Sequence, residues 1–186
     1  ITIAGLIGDQ QSSLLGQGCF YKGDIKNTYG TGCFMLANIG NKLITSKHNL
    51  LVTVANRINN KTFYALEGSI FSCGSIINNA INQKIAKNYD QLTNFAKQAK
   101  NTNLFFIPAA YGLGAPYWKM NVKAKWINKT SKTTKKEKAK AIFWAIAFRN
   151  CDVYQAMQND IKLNSNQLCV DGGLSENNYL MQSKLI

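Results

Sequence analysis

Asp9 is the earliest residue in the sequence whose type and setting could do chemistry. It follows Gly8 and precedes Gln10 and Gln11, directly after the apolar stretch Ile3–Ile7. That stretch predicts a buried strand, and a carboxylate at the tip of a strand is held rigidly at the edge of a cleft. The alternative is an aspartate that only forms a turn or caps a helix. Asp9 is therefore a candidate catalytic residue that the rest of the chain must support.

Three glycine-containing turns could hold phosphate. They are NTYGTGCF (27–34), EGSIFSCG (67–74) and VDGGLSENN (170–178). Glycines let the backbone approach a ligand closely, and amides at such turns and at helix N-termini attract anions. Thr31 could add a hydroxyl donor. Each turn alone could equally be a plain tight turn, since none matches the dinucleotide or Walker pattern.

The elements that must position these residues follow from hydrophobic periodicity. Strands are predicted at 3–7, 32–40, 50–56, 62–68, 104–108 and 167–173. Helices are predicted at 69–84, 133–158 and 175–185, with helix and loop at 85–103. The strands at 50–56 and 62–68 flank a short Asn-rich turn and predict a hairpin. This order of elements indicates a single α/β domain over residues 1–186 without internal repeats.

The clearest helix is the one at 133–158. Thr133 or Thr134 can cap it, and Glu137 lies three residues after Thr134, as a capping box requires. The spacing of its apolar residues predicts a buried face formed by Ala139, Ile142, Phe143, Ile146, Val153 and Met157.

Composition narrows the class of protein. Apolar residues make up 46% of the 186 residues, which is ordinary for a folded domain, and no apolar run is long enough to span a bilayer. The net charge is +13, yet lysines are spread along the chain and only the block 129–141 is densely basic. A solvated helix start explains that block better than a nucleic-acid site, so we expect no nucleic-acid partner.

The five cysteines form no C-x-x-C pair, and a single histidine, His48, gives little support to a zinc site. Reduced, mostly buried thiols in a cytoplasmic protein are therefore expected. The chain starts at Ile1 without a methionine or a visible targeting peptide, which suggests a fragment or a processed product.

Six segments in register resemble the C-terminal lobe of the glycerol kinases, within the FGGY family of carbohydrate kinases. They are GDQQ, NTYGTGCFML, YALEGSIF, PAAYGLGAPYW, WAIAFRNCDVYQAM and VDGGLSENNYLMQ. The resemblance runs from Ile1 to Ile186 and is weaker at 79–103 and 119–131. It implies an actin-like (ribonuclease H-like) ATPase fold, in which ATP and substrate bind between this lobe and an N-terminal lobe.

The same resemblance implies roles for single residues. Asp9 would be the general base toward glycerol and a possible Mg²⁺ ligand, while Gln10 and Phe34 would contact the substrate. The residues implied at ATP are Thr31, Gly74, Asn78, Gly173 and Asn177. The implied ligands are ATP, Mg²⁺ and glycerol, and a homo-oligomer is possible. These parts agree with the chemistry of phosphoryl transfer, which relies on positioning and charge stabilisation.

One segment departs from the family pattern. After GLGAPYW the family has an Asp-Pro-x-Ala-Arg-Gly segment, whereas here the residues are KMNVKAKW (119–126), with Lys119, Lys123 and Ala124 at the altered positions. Three alternatives therefore stay open: a non-catalytic nucleotide-binding fragment or pseudoenzyme, a kinase for another polyol or sugar, and a basic nucleic-acid-binding domain.

Overall fold

The computed structural model describes residues 3, 5–161, 163 and 167–183. The helices are α1 (Asp9–Gly16), α2 (Gly74–Asn82), α3 (Tyr89–Gln98), α4 (Lys135–Asp160) and α5 (Asn178–Gln182), with a 3₁₀ helix at Gly173–Glu176. The strands are β1 (Ile25–Tyr29), β2 (Cys33–Gly40), β3 (Leu51–Ile58), β4 (Lys61–Ile70), β5 (Phe105–Ile107), β6 (Lys125–Ile127) and β7 (Leu168–Asp171).

A mixed five-stranded sheet organises the chain in the order β3-β4-β2-β1-β7. Strands β1 to β4 pair antiparallel, whereas β7 lies parallel to β1. A parallel neighbour requires a long crossover, and α4 lies within the connection that brings β7 back beside β1. Strands β5 and β6 form a separate two-stranded sheet.

The predicted hairpin is confirmed as β3 and β4. Its register ends with Ile58 opposite Lys61, which leaves Asn59 and Asn60 as the two turn residues. Both have positive φ, at 49° and 62°. Two consecutive left-handed residues suit the twist of a two-residue hairpin, and asparagine tolerates that conformation better than most residues.

Helices cover both faces of the large sheet. On one face α2, α3 and α4 pack over a large apolar cluster that includes Ile25 and Tyr29 of β1. On the other face α1 packs through Leu14 over a smaller cluster that includes Leu36. Because neighbouring residues of a strand point to opposite faces, Lys26 of β1 lies under α1.

Helix α4 forms as the sequence predicts. Thr134 is the cap: its hydroxyl accepts from the Glu137 amide, and the Glu137 carboxylate accepts from the Thr134 amide. All six residues predicted for the inner face are buried. In the basic block, Lys135 donates to the Lys84 carbonyl, and Lys140 lies over the Trp144 ring. These lysines stabilise contacts within the chain.

We expect Thr134→Ala to lower the free energy of unfolding by about 1 kcal/mol, because the first-turn amide of Glu137 loses its acceptor. Urea denaturation of the purified chain measures the change. Ser131→Ala, in the exposed loop before the helix, is the matched control and should leave the midpoint unchanged. Equal midpoints for both variants would show that the capping box contributes nothing.

Two sequence predictions of strands need correction. The predicted strand at 3–7 is wrong: its described residues adopt no regular structure, and Leu6 is 99% exposed. The prediction missed β1, because Lys26 and Asn27 are polar residues inside it, and it missed the short β6. The helix predicted at 175–185 divides into the 3₁₀ helix and α5, and its last two residues lie outside the described part.

All five cysteines are free, and three of them are buried, as the sequence predicts for most of the thiols. Among the described residues, no helix combines the length and the apolar composition needed to cross a bilayer.

Candidate active site

Asp9 is the first residue of α1, with Gly8 as the N-cap, so the sequence prediction of a strand tip is wrong. The carboxylate is exposed at the positive end of the helix dipole. Its Oδ1 accepts from the Gln10 backbone amide at 2.8 Å, and its Oδ2 lies 3.4 Å from Gln10 Nε2. A rigid element still holds the group at the surface, but that element is a helix.

A buried lysine lies directly beneath this helix start. Lys26 is fully buried, and its Nζ donates to Gln10 Oε1 at 2.5 Å and to Thr28 Oγ1 at 2.7 Å. Burial lowers the pKa of Lys26 to about 8, although the nearby carboxylates of Asp171, Glu67 and Asp9 act in the opposite direction. The sequence interpretation missed Lys26, and a lysine inside an otherwise strand-like run was the available signal.

Asp171 joins α1 to the end of β7. Its Oδ2 accepts from Ser13 Oγ at 2.5 Å and from Gln17 Nε2 at 3.3 Å. Burial alone would raise the pKa of Asp171, but hydrogen bonds from Ser13, Thr28 and Gln17 outweigh it and hold the pKa below its usual value. Sequence reasoning also missed this residue, which directly precedes the double glycine.

The predicted substrate residues share one face of the sheet. Phe34 of β2 lies opposite Thr28 of β1 and packs against the cluster that contains Leu14 of α1. Asp9 and Gln10 lie on that same helix. The structure therefore brings a carboxylate, an amide and a half-buried aromatic ring to the α1 side.

The turn that contains Thr31 holds the N-terminus of α2. Gly74 donates its amide to the Gly30 carbonyl at 3.0 Å, and the amides of Cys73 and Ser75 donate to the Thr31 carbonyl at 3.0 and 3.1 Å. These amides are thus used inside the lobe. A Cβ on Gly74 would lie 2.7 Å from the Gly30 oxygen, which explains the glycine. The exposed Thr31 remains on the outer side of this turn.

An open groove of about 510 Å³ lies between α3 and the 3₁₀–α5 segment. Its lining residues are Tyr89, Asp90, Thr93, Asn94, Lys97, Gly173, Glu176, Asn177, Asn178 and Tyr179. Asn177 is buried; its side chain accepts from the Leu180 amide and donates to Thr93 Oγ1, both at 2.9 Å. It therefore joins the two walls of the groove. Asn78 is exposed on α2 and lies outside this lining.

The two glycines at the mouth of this groove differ. Gly172 has φ +83°, and a Cβ there would lie 2.5 Å from the Tyr29 oxygen. Gly173 has ordinary φ, and a Cβ there would meet no heavy atom of the described residues within 4 Å. The backbone conformation therefore requires glycine at position 172, whereas Gly173 leaves the groove open because it has no side chain.

The sequence of residues 25–184 matches the family model for the C-terminal domain of the FGGY family of carbohydrate kinases. The chain belongs to this FGGY family. It is 44% identical over 184 residues to a glycerol kinase of Treponema denticola and 46% identical over 184 residues to glycerol kinase 2 of Thermotoga maritima. Each match covers 98% of this chain and 37% of the relative, so the chain spans little more than a third of their length.

A solved FGGY structure agrees with this assignment. The crystal structure of Plasmodium falciparum glycerol kinase with ADP superposes with a TM-score of 0.89 at 34% identity, covering 99% of this chain and 37% of that chain. The fold is that of the C-terminal lobe of an actin-like ATPase, as the sequence predicts.

The segment that departs from the FGGY pattern is nevertheless ordered. Lys119 exchanges backbone hydrogen bonds with Leu113 at 2.9 Å in each direction, and Lys125–Ile127 pairs with β5. Lys119 and Lys123 are exposed, and backbone pairing accepts most side chains.

Proposed function

We propose that residues 1–186 form the C-terminal lobe of an ATP-dependent glycerol kinase, which transfers the γ-phosphoryl group of ATP to a terminal hydroxyl of glycerol. The observation that carries this proposal is an exposed carboxylate, Asp9, at a helix start beside Gln10, over the face of the sheet that carries Phe34, in a chain similar over nearly its whole length to glycerol kinases. Other polyols and sugars are the alternative substrates.

In the proposed reaction Asp9 accepts the proton of the attacking hydroxyl as the new oxygen–phosphorus bond forms. Positioning is the main requirement, because phosphoryl transfer needs the attacking oxygen in line with the leaving group. Gln10 holds a hydroxyl of the substrate, and the ring of Phe34 contacts the carbon chain. Water is excluded when the second lobe closes over this face.

ATP would bind on the opposite side of the sheet from α1. The groove that contains Gly173 and Asn177 is large enough to hold a nucleoside, and the Thr31 hydroxyl would reach the phosphates. Gly74 would support the Thr31 turn by its close packing, and Asn78, exposed on α2, would contact the outer part of the nucleotide.

The proposed Mg²⁺ would be held mainly by the phosphates of ATP. Among the described residues no cluster of three or more carboxylate, histidine or cysteine groups could hold a metal by itself. A single exposed carboxylate fits this ion, because Mg²⁺ is usually bound by one or two carboxylates together with substrate phosphates and water. Asp9 is the candidate ligand. The ion would neutralise charge on the transferring phosphoryl group.

The proposal also includes the cellular compartment and the oligomeric state of the protein. Free, largely buried thiols fit a reducing compartment such as the cytoplasm. A homo-oligomer also remains part of the proposal.

A coupled assay of ADP formation tests the function. We expect this lobe, joined to the N-terminal lobe of the Treponema denticola relative, to form ADP only when glycerol is present. The isolated 186-residue chain should show no glycerol-dependent turnover, because half of the cleft is absent and proximity requires both lobes. Xylulose and gluconate serve as control acceptors. Robust turnover by the isolated chain, or none by a folded two-lobed enzyme that binds ATP, would contradict the proposal.

A further inference from the structure

The proposed reaction assigns no role to the buried ammonium of Lys26. Lys26 is fully buried on β1, and its Nζ donates to Gln10 Oε1 and Thr28 Oγ1. A buried charge is costly unless it is paired and hydrogen-bonded. The carboxylates of Asp171, Glu67 and Asp9 favour the charged form of Lys26, although burial acts more strongly in the opposite direction and lowers its pKa. Lys26 contacts the Gln10 side chain from beneath α1.

We infer that Lys26 is a positioning residue that fixes the direction of the Gln10 amide, so that Gln10 meets the substrate as a hydrogen-bond donor. This inference rests on the proposed function. A lysine ammonium has three donors and no acceptor. Gln10 must therefore turn Oε1 inward to Lys26, which leaves its NH₂ group on the outer side.

The position of Asp9 agrees with this direction. Gln10 Nε2 lies 3.4 Å from Asp9 Oδ2, at the outer limit of a hydrogen bond. A reversed amide would point Oε1 at the carboxylate, where two acceptors repel each other, and would leave the Lys26 ammonium facing an NH₂ group. Both neighbours thus favour the same orientation. The outward NH₂ group has two hydrogens, so one can donate to Asp9 while the other donates to an incoming hydroxyl oxygen.

The consequence concerns which ligands bind. A hydroxyl whose oxygen faces Gln10 accepts from the NH₂ group, and its own proton then points elsewhere. Because Gln10 is not the base, loss of this orientation should raise KM for glycerol more than it lowers kcat. A site built to hydrogen-bond a hydroxyl rejects ligands that cannot supply the matching group.

The sharpest test replaces the outer NH₂ group of Gln10 with a carboxylate oxygen in the two-lobed kinase. Gln10→Glu keeps an oxygen for Lys26 but removes the NH₂ group. We expect KM for glycerol to rise about tenfold or more, the loss typical of one hydrogen bond replaced by an unmatched group. Wild-type KM in Gln10→Glu would overturn the assignment of Gln10 as a donor.

A double-mutant cycle tests Lys26 itself. Lys26→Met keeps a long unbranched side chain but removes the donor, and it should raise KM for glycerol about as much as Gln10→Ala. The double variant should be no worse than either single variant, because both remove the same oriented amide. Effects that multiply would show that Lys26 does not act through Gln10. Lys42→Met, at an exposed lysine, is the matched control for the substitution.

A spectroscopic measurement keeps this inference separate from the proposed function. In the 186-residue chain, the side-chain NH₂ proton signals of Gln10 should shift and exchange faster in Lys26→Met and remain unchanged in Lys42→Met. That readout needs no turnover, so it still decides the inference if the two-lobed enzyme proves inactive. If Lys26→Met does not fold, Lys26→Gln replaces it in the same measurement, because an amide can donate or accept and so no longer favours one orientation of Gln10. An unchanged Gln10 signal in folded Lys26→Met would overturn the positioning role.

Discussion

Asp9→Asn in a two-lobed kinase that carries this lobe should lower kcat by about 10²- to 10⁴-fold, the usual contribution of a general base. The amide has nearly the size of the carboxylate, and it can still accept from the Gln10 backbone amide through its oxygen. It cannot take the proton of the attacking hydroxyl. KM for glycerol should therefore change far less than kcat. Steady-state kinetics with glycerol varied at saturating ATP measures both.

The control for this prediction is a matched change at another carboxylate. Asp24, in the loop before β1, accepts from the Tyr21 amide and takes no part in the proposed reaction. Asp24→Asn should therefore keep kcat near that of the parent enzyme. If Asp9→Asn also keeps the parent kcat, Asp9 is not the base.

Gly173→Val should weaken ATP binding by about tenfold or more, equivalent to roughly 1.4 kcal/mol, while glycerol binding survives. The new side chain would project into the groove that we assign to the adenosine part. It should not disturb the fold, because a Cβ at Gly173 meets no heavy atom of the described residues within 4 Å. Calorimetric titration of each ligand on the folded two-lobed enzyme gives both affinities.

Gly16→Val is the matched control for this substitution. Gly16 ends α1, and a Cβ there also meets no described heavy atom within 4 Å. ATP affinity should be unchanged in this variant. Unchanged ATP affinity in Gly173→Val would mean that the groove is not the nucleotide site. A change at Gly172 could not answer the question, since its positive φ and its contact with Tyr29 would make any variant a test of folding.

The parts of the fold that sequence predicted well are those specified by nearby residues. Helix α4 has its cap, its capping glutamate and its apolar period within one stretch, and the β3–β4 hairpin is set by two turn asparagines. Strand β1 was missed because its buried polar residues have partners far along the chain. Asn27 donates to Asn150 Oδ1 at 2.5 Å, across 123 residues. No local pattern reveals such a pair.

The stretch 3–7 shows the opposite error. An apolar run predicts burial, but a strand also needs a partner for its backbone groups, and composition cannot supply one. The described residues of this stretch pair with no described strand, and Leu6 is almost fully exposed. Apolar sequence alone therefore overstated the local structure.

The residues of the candidate site also divide into those that local sequence indicates and those that only the fold brings together. Asp9 and Gln10 are adjacent in sequence, so a motif could indicate them together. Lys26 and Asp171 join them only through the tertiary fold, and their importance follows from burial and hydrogen bonds that spacing does not encode.

The bond between Ser13 and Asp171 has a mechanical consequence. Ser13 lies one turn after the start of α1, and Asp171 is followed at once by the glycines at the groove mouth. Any sliding of the helix against that turn would separate a carboxylate from the donors that stabilise its charge. During opening and closing of a two-lobed enzyme we therefore expect these two segments to travel together. Such a motion would then change the distance to the opposite lobe and leave constant the spacing between the proposed hydroxyl and nucleotide contacts.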